Sequence, residues 1–491
     1  MGDNLLVIDE GTTSTRSMLF ASDGRCLGIA QQPLTQSFPA PGLVEQDPEE
    51  IWSLSLECAR AMVAKAGGAG RIAAIGITNQ RETIVFWSRR SGRALAPAIV
   101  WQDRRTSEMC AKLRAEGHED ALQAKTGLLL DPYFSATKIA WALAHWPQLR
   151  EVGGDLCIGT VESWLVYRLT GGLHISDATN ASRTALMDIG RGCWDDELLD
   201  LFGVPRAALP EIVDCAGEFG TSLPEHFGEA LPICGLAGDQ QSAAIGQACF
   251  APGDTKGTYG TGAFVLSHAG EVQPVSSQRL LTTVAWQLGG QRRYALEGSL
   301  FVAGSTMQWL RDALELFAAS ADSEALARSV PDSAGVQFIP AFAGLGAPHW
   351  RPDARGAILG LTLGSTRAHI VRAALEAVTN QTEELRRAFA ADGVDWSHLR
   401  IDGAMAANDF LAQDLADLLA MDVERPANVE TTALGAAMLA GIGCGMFASL
   451  EDAAGARGAL TKFTPTMGAD ARAQRIARWD SAVRALLSSA F

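Results

Sequence analysis

Six short stretches of this chain carry residue types that could do chemistry. In Asp9-Glu10-Gly11-Thr12-Thr13-Ser14-Thr15-Arg16 an acid ends an apolar run, a glycine permits a tight turn, and a series of hydroxyls leads to an arginine. Backbone N–H groups and hydroxyls in such a turn suit phosphate oxygens. Asp9 could hold Mg²⁺, and Arg16 could offset phosphate charge. An ordinary polar hairpin turn would carry the same residues. Gly257-Thr258-Tyr259-Gly260-Thr261-Gly262 has the same character, with a plain β-turn as its alternative. One such loop in each half of the chain suggests a nucleotide held between two domains.

The remaining stretches suit a polyol better than a phosphate. Gly238-Asp239-Gln240-Gln241 again places an acid after an apolar run, although a helix N-cap would do the same. In Asn79-Gln80-Arg81-Glu82-Thr83 the adjacent donor and acceptor side chains can grip vicinal hydroxyls, or can form a solvated pair worth little. Trp101 in residues 100–105, and Tyr133 and Phe134 in residues 131–134, could cover the carbon face of a polar ligand or could be core. No GxxxxGK[ST] occurs and no GxGxxG opens a helix, so P-loop and dinucleotide readings are disfavoured. The protein-kinase signatures are missing too.

These residues need a scaffold. Residues 4–9 read as a buried strand, and a turn at 22–25 leads to a second strand at 26–30, so a β-hairpin opens the fold. Residues 48–66 have helical periodicity, with Ile51, Leu54, Leu56, Cys58, Ala61 and Met62 as the expected core stripe. Strands follow at 72–77 and 83–87, and helices at 107–116 and 135–145. The second half opens alike: strand, Gly-rich turn and strand over 254–267, then strands at 280–288 and 292–296. Helices are expected at 302–317, 367–390, 408–419 and 432–441. Both halves thus run from a β-meander into alternating β and α. The Gly/Pro-bearing residues 250–253 mark a boundary between an N-terminal domain of residues 1–248 and a C-terminal domain of residues 249–491.

Composition narrows the partners. The 491 residues suffice for roughly three domain-sized units or two large ones. With 40 basic and 56 acidic residues the net charge is −16, which disfavours nucleic acid or an anionic membrane bound through bulk charge. Nine cysteines without a CxxC read as buried thiols in a reducing cytoplasm. Eight histidines show no zinc-type spacing. Residues 1–11 have no basic n-region, so no signal peptide is expected. Residues 431–450 lack charges but are rich in Gly and Ala, which points to a closely packed buried helix and not a membrane span.

Taken together, the residues resemble the FGGY carbohydrate kinases over roughly residues 4–448. The matching segments are GTTSTR (11–16), GITNQRET (76–83), VWQDRRT (100–106), DPYFSATK (131–138), NASRT (180–184), GDQQ (238–241), TYGTG (258–262), ALEG (295–298), PAFAGLGAPHW (340–350), ARGAILGL (354–361) and TALGAA (432–437). The resemblance implies an α/β fold of two ribonuclease-H-like domains, as in actin and hexokinase, with the active site in the cleft between them. It implies ATP and Mg²⁺ as cofactors, and glycerol as the acceptor, giving sn-glycerol 3-phosphate. A tetritol or pentulose is the alternative acceptor, and a catalytically weak nucleotide-binding regulator the less favoured reading. In members acting on glycerol, the residues matching Arg81, Glu82, Tyr133, Asp239 and Gln240 bind the hydroxyls. Those matching Trp101 and Phe264 flank the carbons. Asp239 matches the catalytic base. Thr12, Thr13, Ser14 and Arg16 match the first phosphate loop and Thr261 the second. Gly304, Gln308, Ala404 and Asn408 match positions around the nucleotide, and Asp9 the Mg²⁺-associated acid, with Asp239 beside the metal. A homodimer or homotetramer is also implied.

Two departures touch the nucleotide side. Glu10 stands where members acting on glycerol have Gln, an added charge expected to weaken ATP binding unless it points away or pairs. Ala404 stands where the family has a second Gly, which is costly if that residue needs φ > 0. His226 reads as a plain surface histidine. Residues 221–232 are acidic and lack Arg, so the sugar-bisphosphate inhibition of some members is not expected.

Overall fold

Every residue of Leu5–Glu10 is buried, and this strand pairs on both sides. In the computed structural model, which describes residues 2–351, 353–428 and 430–488, it runs antiparallel to Ser14–Ala21 and parallel to Ile72–Asn79. The outermost residues of the expected halves, 1 and 489–491, therefore lie outside the described residues. The sheet has the order Ala216–Thr221, Pro232–Gly238, Ile72–Asn79, Asn4–Glu10, Ser14–Ala21, Cys26–Pro33. Its three central strands are parallel. Their carboxyl ends are level, with Glu10 and Gly238 both opposite Asn79. Stretches 9–16, 79–83 and 238–241 thus leave one edge of one sheet, where ligands of parallel α/β sheets collect.

The second half repeats the plan. Its sheet has the order Leu281–Leu288, Gln291–Leu300, Ala263–Gly270, Asp254–Tyr259, His398–Asp402, Val423–Pro426, Leu460–Phe463. Asp254–Tyr259 is antiparallel to Ala263–Gly270 and parallel to His398–Asp402, with Thr258 opposite Asp402. Each half is therefore a three-stranded meander continued by two parallel strands and closed by one antiparallel strand, with the Leu281–Leu288 strand as an addition to the second. The like order of elements read from the two halves of the sequence is thus matched by a like strand pairing.

The helix Thr431–Gly443 is 13 residues long, and its first eleven are buried apart from Thr432. It packs against the N-terminal sheet and crosses the helix Asp239–Gly246. The approach needs small residues. A Cβ on Gly435 would sit 1.8 Å from the carbonyl oxygen of Ser242, and one on Gly76 would sit 2.4 Å from that of Ala436. Hence a chain segment late in the sequence completes the core around Leu5, Val7 and Phe20 of the first half. Each such buried aliphatic side chain contributes about 1.5–3 kcal/mol. Among the described residues no helix is long and apolar enough to cross a membrane.

Several expectations need correction. The buried stripe of Pro48–Ala66 runs through Ile51, Trp52, Ser55, Cys58, Ala59, Met62 and Val63, whereas Leu54 and Leu56 are half-buried and Ala61 is exposed. The stripe follows the 3.6-residue period and accepts Ser55 because that hydroxyl has buried partners. Cys26 and Cys193 are exposed thiols. His226 is buried, edge-on to Trp52 at 5.2 Å, with Nε2 3.2 Å from the Arg168 carbonyl oxygen. The helix expected at 302–317 is shorter, Gly304–Asp312.

Candidate functional site

The first loop is a tight turn closed by Gly11 N–H donating to the Ser14 carbonyl at 3.0 Å. Gln46 Nε2 donates to the Thr12 carbonyl at 2.8 Å, and Leu34 N–H donates to that of Thr13 at 2.9 Å. Trp101 Nε1 donates to Thr12 Oγ1 at 2.9 Å, tying this loop to the aromatic residues 101 and 133. Ser14 Oγ accepts from Gln31 Nε2 at 2.9 Å, so its hydroxyl is engaged with the neighbouring strand. Arg16 is clamped from two directions: Nη2 to Asp9 Oδ2 at 2.5 Å, Nη1 to Glu430 Oε2 at 2.8 Å. Burial pushes the Asp9 carboxyl up to about 6, against the pull of Arg16, and the charges of Glu430 and Asp239 raise it further.

Glu10 points the other way, as the next residue of a strand must. It is fully buried, and Ser55 Oγ donates to its Oε2 at 2.6 Å. Burial pushes this carboxyl up to about 8, only partly opposed by the Ser55 and Thr15 hydroxyls. At neutral pH it is largely protonated, so the loop carries no added charge from it.

Beside this loop, Arg81 is buried and its Nε lies 3.1 Å from Asp239 Oδ1, while the Asp239 side chain is 34% exposed. Arg81 Nη2 donates to the Tyr133 hydroxyl at 3.5 Å. Glu82 sits at φ 62°, a left-handed conformation that costs a non-glycine residue, and this turns its buried carboxylate toward Arg183 Nε at 2.6 Å. Trp101 meets Tyr133 edge-on at 5.5 Å. Asp239 opens the helix Asp239–Gly246, and its Oδ1 accepts from Gln240 N–H at 2.7 Å. Gln240 Oε1 accepts from Lys256 Nζ at 2.5 Å. Phe264 is half-buried and paired with Thr258 across the strands, so it shares a sheet face with Lys256 and with Leu266, which packs in one core cluster with Ala244 and Ile245.

The second loop lies beyond, at the carboxyl ends of two parallel strands. Thr261 is exposed, and its carbonyl accepts from Ala303 N–H at 2.9 Å and Ser305 N–H at 3.1 Å. Gly304 N–H donates to the Gly260 carbonyl at 2.9 Å. The loop therefore seats on the start of the helix Gly304–Asp312, whose Gln308 is exposed. Gly403 holds the left-handed conformation, φ 86°, and a Cβ there would lie 2.5 Å from the Tyr259 carbonyl oxygen. Ala404 opens a short 3₁₀ turn, has no positive φ and is exposed, so its methyl is tolerated. Asn408 caps the helix Asp409–Leu419 through Oδ1, which accepts from Leu411 N–H at 3.0 Å.

Asp9, Thr12, Arg16, Arg81, Glu82, Asp239 and Gln240 thus share one edge of the first sheet, with Trp101 and Tyr133 joined to them through Thr12 and Arg81, whereas Thr261, Gly304, Gln308, Ala404 and Asn408 line the matching end of the second. Sequence reasoning assigned no role to Arg183, Lys256, Glu297 or Glu430. A signal was present: Lys256 and Glu297 are charges inside strands, and Arg183 lies within the matching segment 180–184.

Residues 4–246 match the N-terminal domain of the FGGY family of carbohydrate kinases, and residues 256–444 its C-terminal domain. A glycerol kinase of Xanthobacter autotrophicus is 54% identical over 494 residues, covering 99% of both chains. One of Rhodospirillum rubrum is 53% identical over 489 residues, with the same coverage. Among solved structures, Plasmodium falciparum glycerol kinase with ADP superposes with a TM-score of 0.95 at 35% identity over 100% of both chains. A xylulose kinase from Rhodospirillum rubrum gives 0.88 at 25% identity over 99% of each.

Proposed function

Because the chain belongs to the FGGY family of carbohydrate kinases, we propose that it transfers the terminal phosphoryl group of ATP to glycerol. The fold is the two-domain α/β architecture of these kinases, related to actin and hexokinase. One observation carries the assignment of roles: three level strand ends bring Asp9, Arg81 and Asp239 to one edge, with Asp239 Oδ1 3.1 Å from Arg81 Nε and still reachable from the cleft.

The acceptor hydroxyls pair with Arg81, Glu82, Tyr133, Asp239 and Gln240, and Trp101 and Phe264 cover its carbons. A site that pairs every hydroxyl rejects analogues lacking one, since its own buried polar groups would be left bare. The attacking primary hydroxyl forms a bond to the γ-phosphorus while the bond to the β–γ bridging oxygen breaks, and ADP leaves. Asp239 takes the hydroxyl proton, a contribution of about 10²–10⁴ in rate. Positioning and charge offset supply the rest. Thr12, Thr13, Ser14 and Arg16 meet the phosphates from one side and Thr261 from the other. Gly304, Gln308, Ala404 and Asn408 border the nucleotide. The halves, residues 1–248 and 249–491, close over both substrates and exclude water that would compete with the acceptor.

Asp9 and Asp239 would hold Mg²⁺. Asp9 Oδ2 is taken by Arg16, while Oδ1 accepts no hydrogen bond from a described residue. Among the described residues no group of three His, Cys, Asp or Glu could hold a metal by itself. Two carboxylates would suit an ion that keeps much of its water. When bound, the ion offsets phosphate charge.

The test is ADP production from Mg-ATP with glycerol beside erythritol, dihydroxyacetone, xylulose and no acceptor. Glycerol is expected to give the highest kcat/KM and sn-glycerol 3-phosphate as product, and chelation of Mg²⁺ to abolish turnover. A higher kcat/KM for another acceptor overturns the substrate assignment.

A further inference from the structure

Glu297 lies in the middle of the Gln291–Leu300 strand, opposite Leu266 on one side and Leu281 on the other, and is 1% exposed. A carboxylate at such a place needs partners, and both come from the other half of the molecule. Oε2 is 2.6 Å from Arg81 Nη1, and Oε1 is 2.8 Å from Arg183 Nη2. Arg81 continues to Asp239 at 3.1 Å and Arg183 to Glu82 at 2.6 Å. The five groups form an alternating chain, Asp239–Arg81–Glu297–Arg183–Glu82, with Glu297 at its centre.

We propose that Glu297 is a positioning residue for the acceptor site, setting both arginines at once and through them the angle of Asp239 and the orientation of Glu82. This rests on the assignment of those two acids to the acceptor. Four features support it. Arg81 reaches Glu82 only at 4.0 Å, so the two neighbours are joined mainly through Glu297 and Arg183 and not directly. Burial opposes charge on Glu297, but Arg183 and Arg81 outweigh it and hold the carboxyl down at about 2, so the clamp is ionised throughout the working range. Arg183 is wholly buried, with its guanidinium carbon 5.4 Å from the Phe134 ring centroid, so packing as well as Glu297 sets where it meets Glu82. Glu297 also lies on the strand that runs into the second phosphate loop's seat at Ala303 and Gly304, so acceptor grip and phosphate loop share one rigid element.

Replacing a buried partner of two arginines strains folding as well as function, so two variants are needed. Glu297→Gln keeps the shape and removes the charge. The double change Glu297→Gln with Arg183→Gln leaves the net charge as it was. For each folded variant, KM for glycerol and the ADP dissociation constant by calorimetry are compared with wild type. The glycerol KM is expected to rise about tenfold or more in both variants, with ADP affinity within about twofold. An unchanged glycerol KM in either variant overturns the proposal, as does a parallel loss of glycerol and ADP affinity, which marks general loosening. Should wild type favour another polyol, the substrate assignment falls and the same comparison with that polyol decides the role of Glu297.

Discussion

The carboxyl of Glu10 lies 2.6 Å from the hydroxyl of Ser55, on the opposite side of its strand from Asp9. A side chain that the sequence placed beside a phosphate loop is part of the helix–sheet core instead. Its folded value of about 8 exceeds the ordinary 4.5, so folding takes up a proton between those pH values. Stability from this group is greatest below about 4.5 and is lost as pH rises toward 8.

Glu10→Gln removes that dependence. The melting temperature of the variant minus that of wild type is expected to grow by about 3 °C or more between about pH 5 and about pH 9. ATP affinity near pH 7 is expected to stay within about twofold. Thermal melts across pH check the first and calorimetry the second, and a pH-independent difference would show that Glu10 is ionised in the folded state.

Asp239→Asn keeps the shape beside Arg81 and the first turn of the helix but cannot take a proton. Turnover with glycerol is expected to fall about 10²–10⁴-fold, with ADP affinity little changed. Steady-state rates and nucleotide titration check this. Turnover within about threefold of wild type would refute the assignment of the base.

Arg16 is shared between Asp9 and Glu430, and Glu430 is 30% exposed at the start of the crossing helix. On the proposed assignment of Arg16 to the nucleotide phosphates, they compete with that carboxylate. Glu430→Gln is expected to lower KM for ATP about two- to fivefold, the scale of a part-exposed ion pair, whereas Arg16→Ala raises it. An increased KM in Glu430→Gln would show that the acid orients Arg16 and does not compete for it.

The Gly403–Ala404 pair separates two roles that one sequence position could not. Ala404→Gly is expected to leave ATP affinity and stability nearly unchanged. Gly403→Ala puts a Cβ at 2.5 Å from the Tyr259 carbonyl oxygen at φ 86° and is expected to cost about 1–3 kcal/mol. Chemical denaturation of both variants checks the contrast. Equal effects would mean that the turn shifts its left-handed residue.

Much of this was legible in order and residue type. Apolar runs marked the strands, the helical period placed Pro48–Ala66 and Ser135–His145 with the ends observed in the structure, and small-residue turns marked both loops. Asp9 and Asp239 stood out because each acid follows an apolar run, and Arg81 because it stands beside Glu82 in a polar stretch between two apolar strands. Those features depend on neighbours along the chain, which is why a linear reading reaches them. Strand register, burial and partners across the sheets do not. That Glu10 turns to Ser55, that His226 sits under Trp52, that the left-handed turn falls on Gly403, and that Thr431–Gly443 returns to the first sheet are all set by contacts between residues far apart in sequence. Glu297 shows the limit best. Within its strand it is one acid among apolar neighbours, and only folding brings Arg81 and Arg183 from over a hundred positions away to within 3 Å of it.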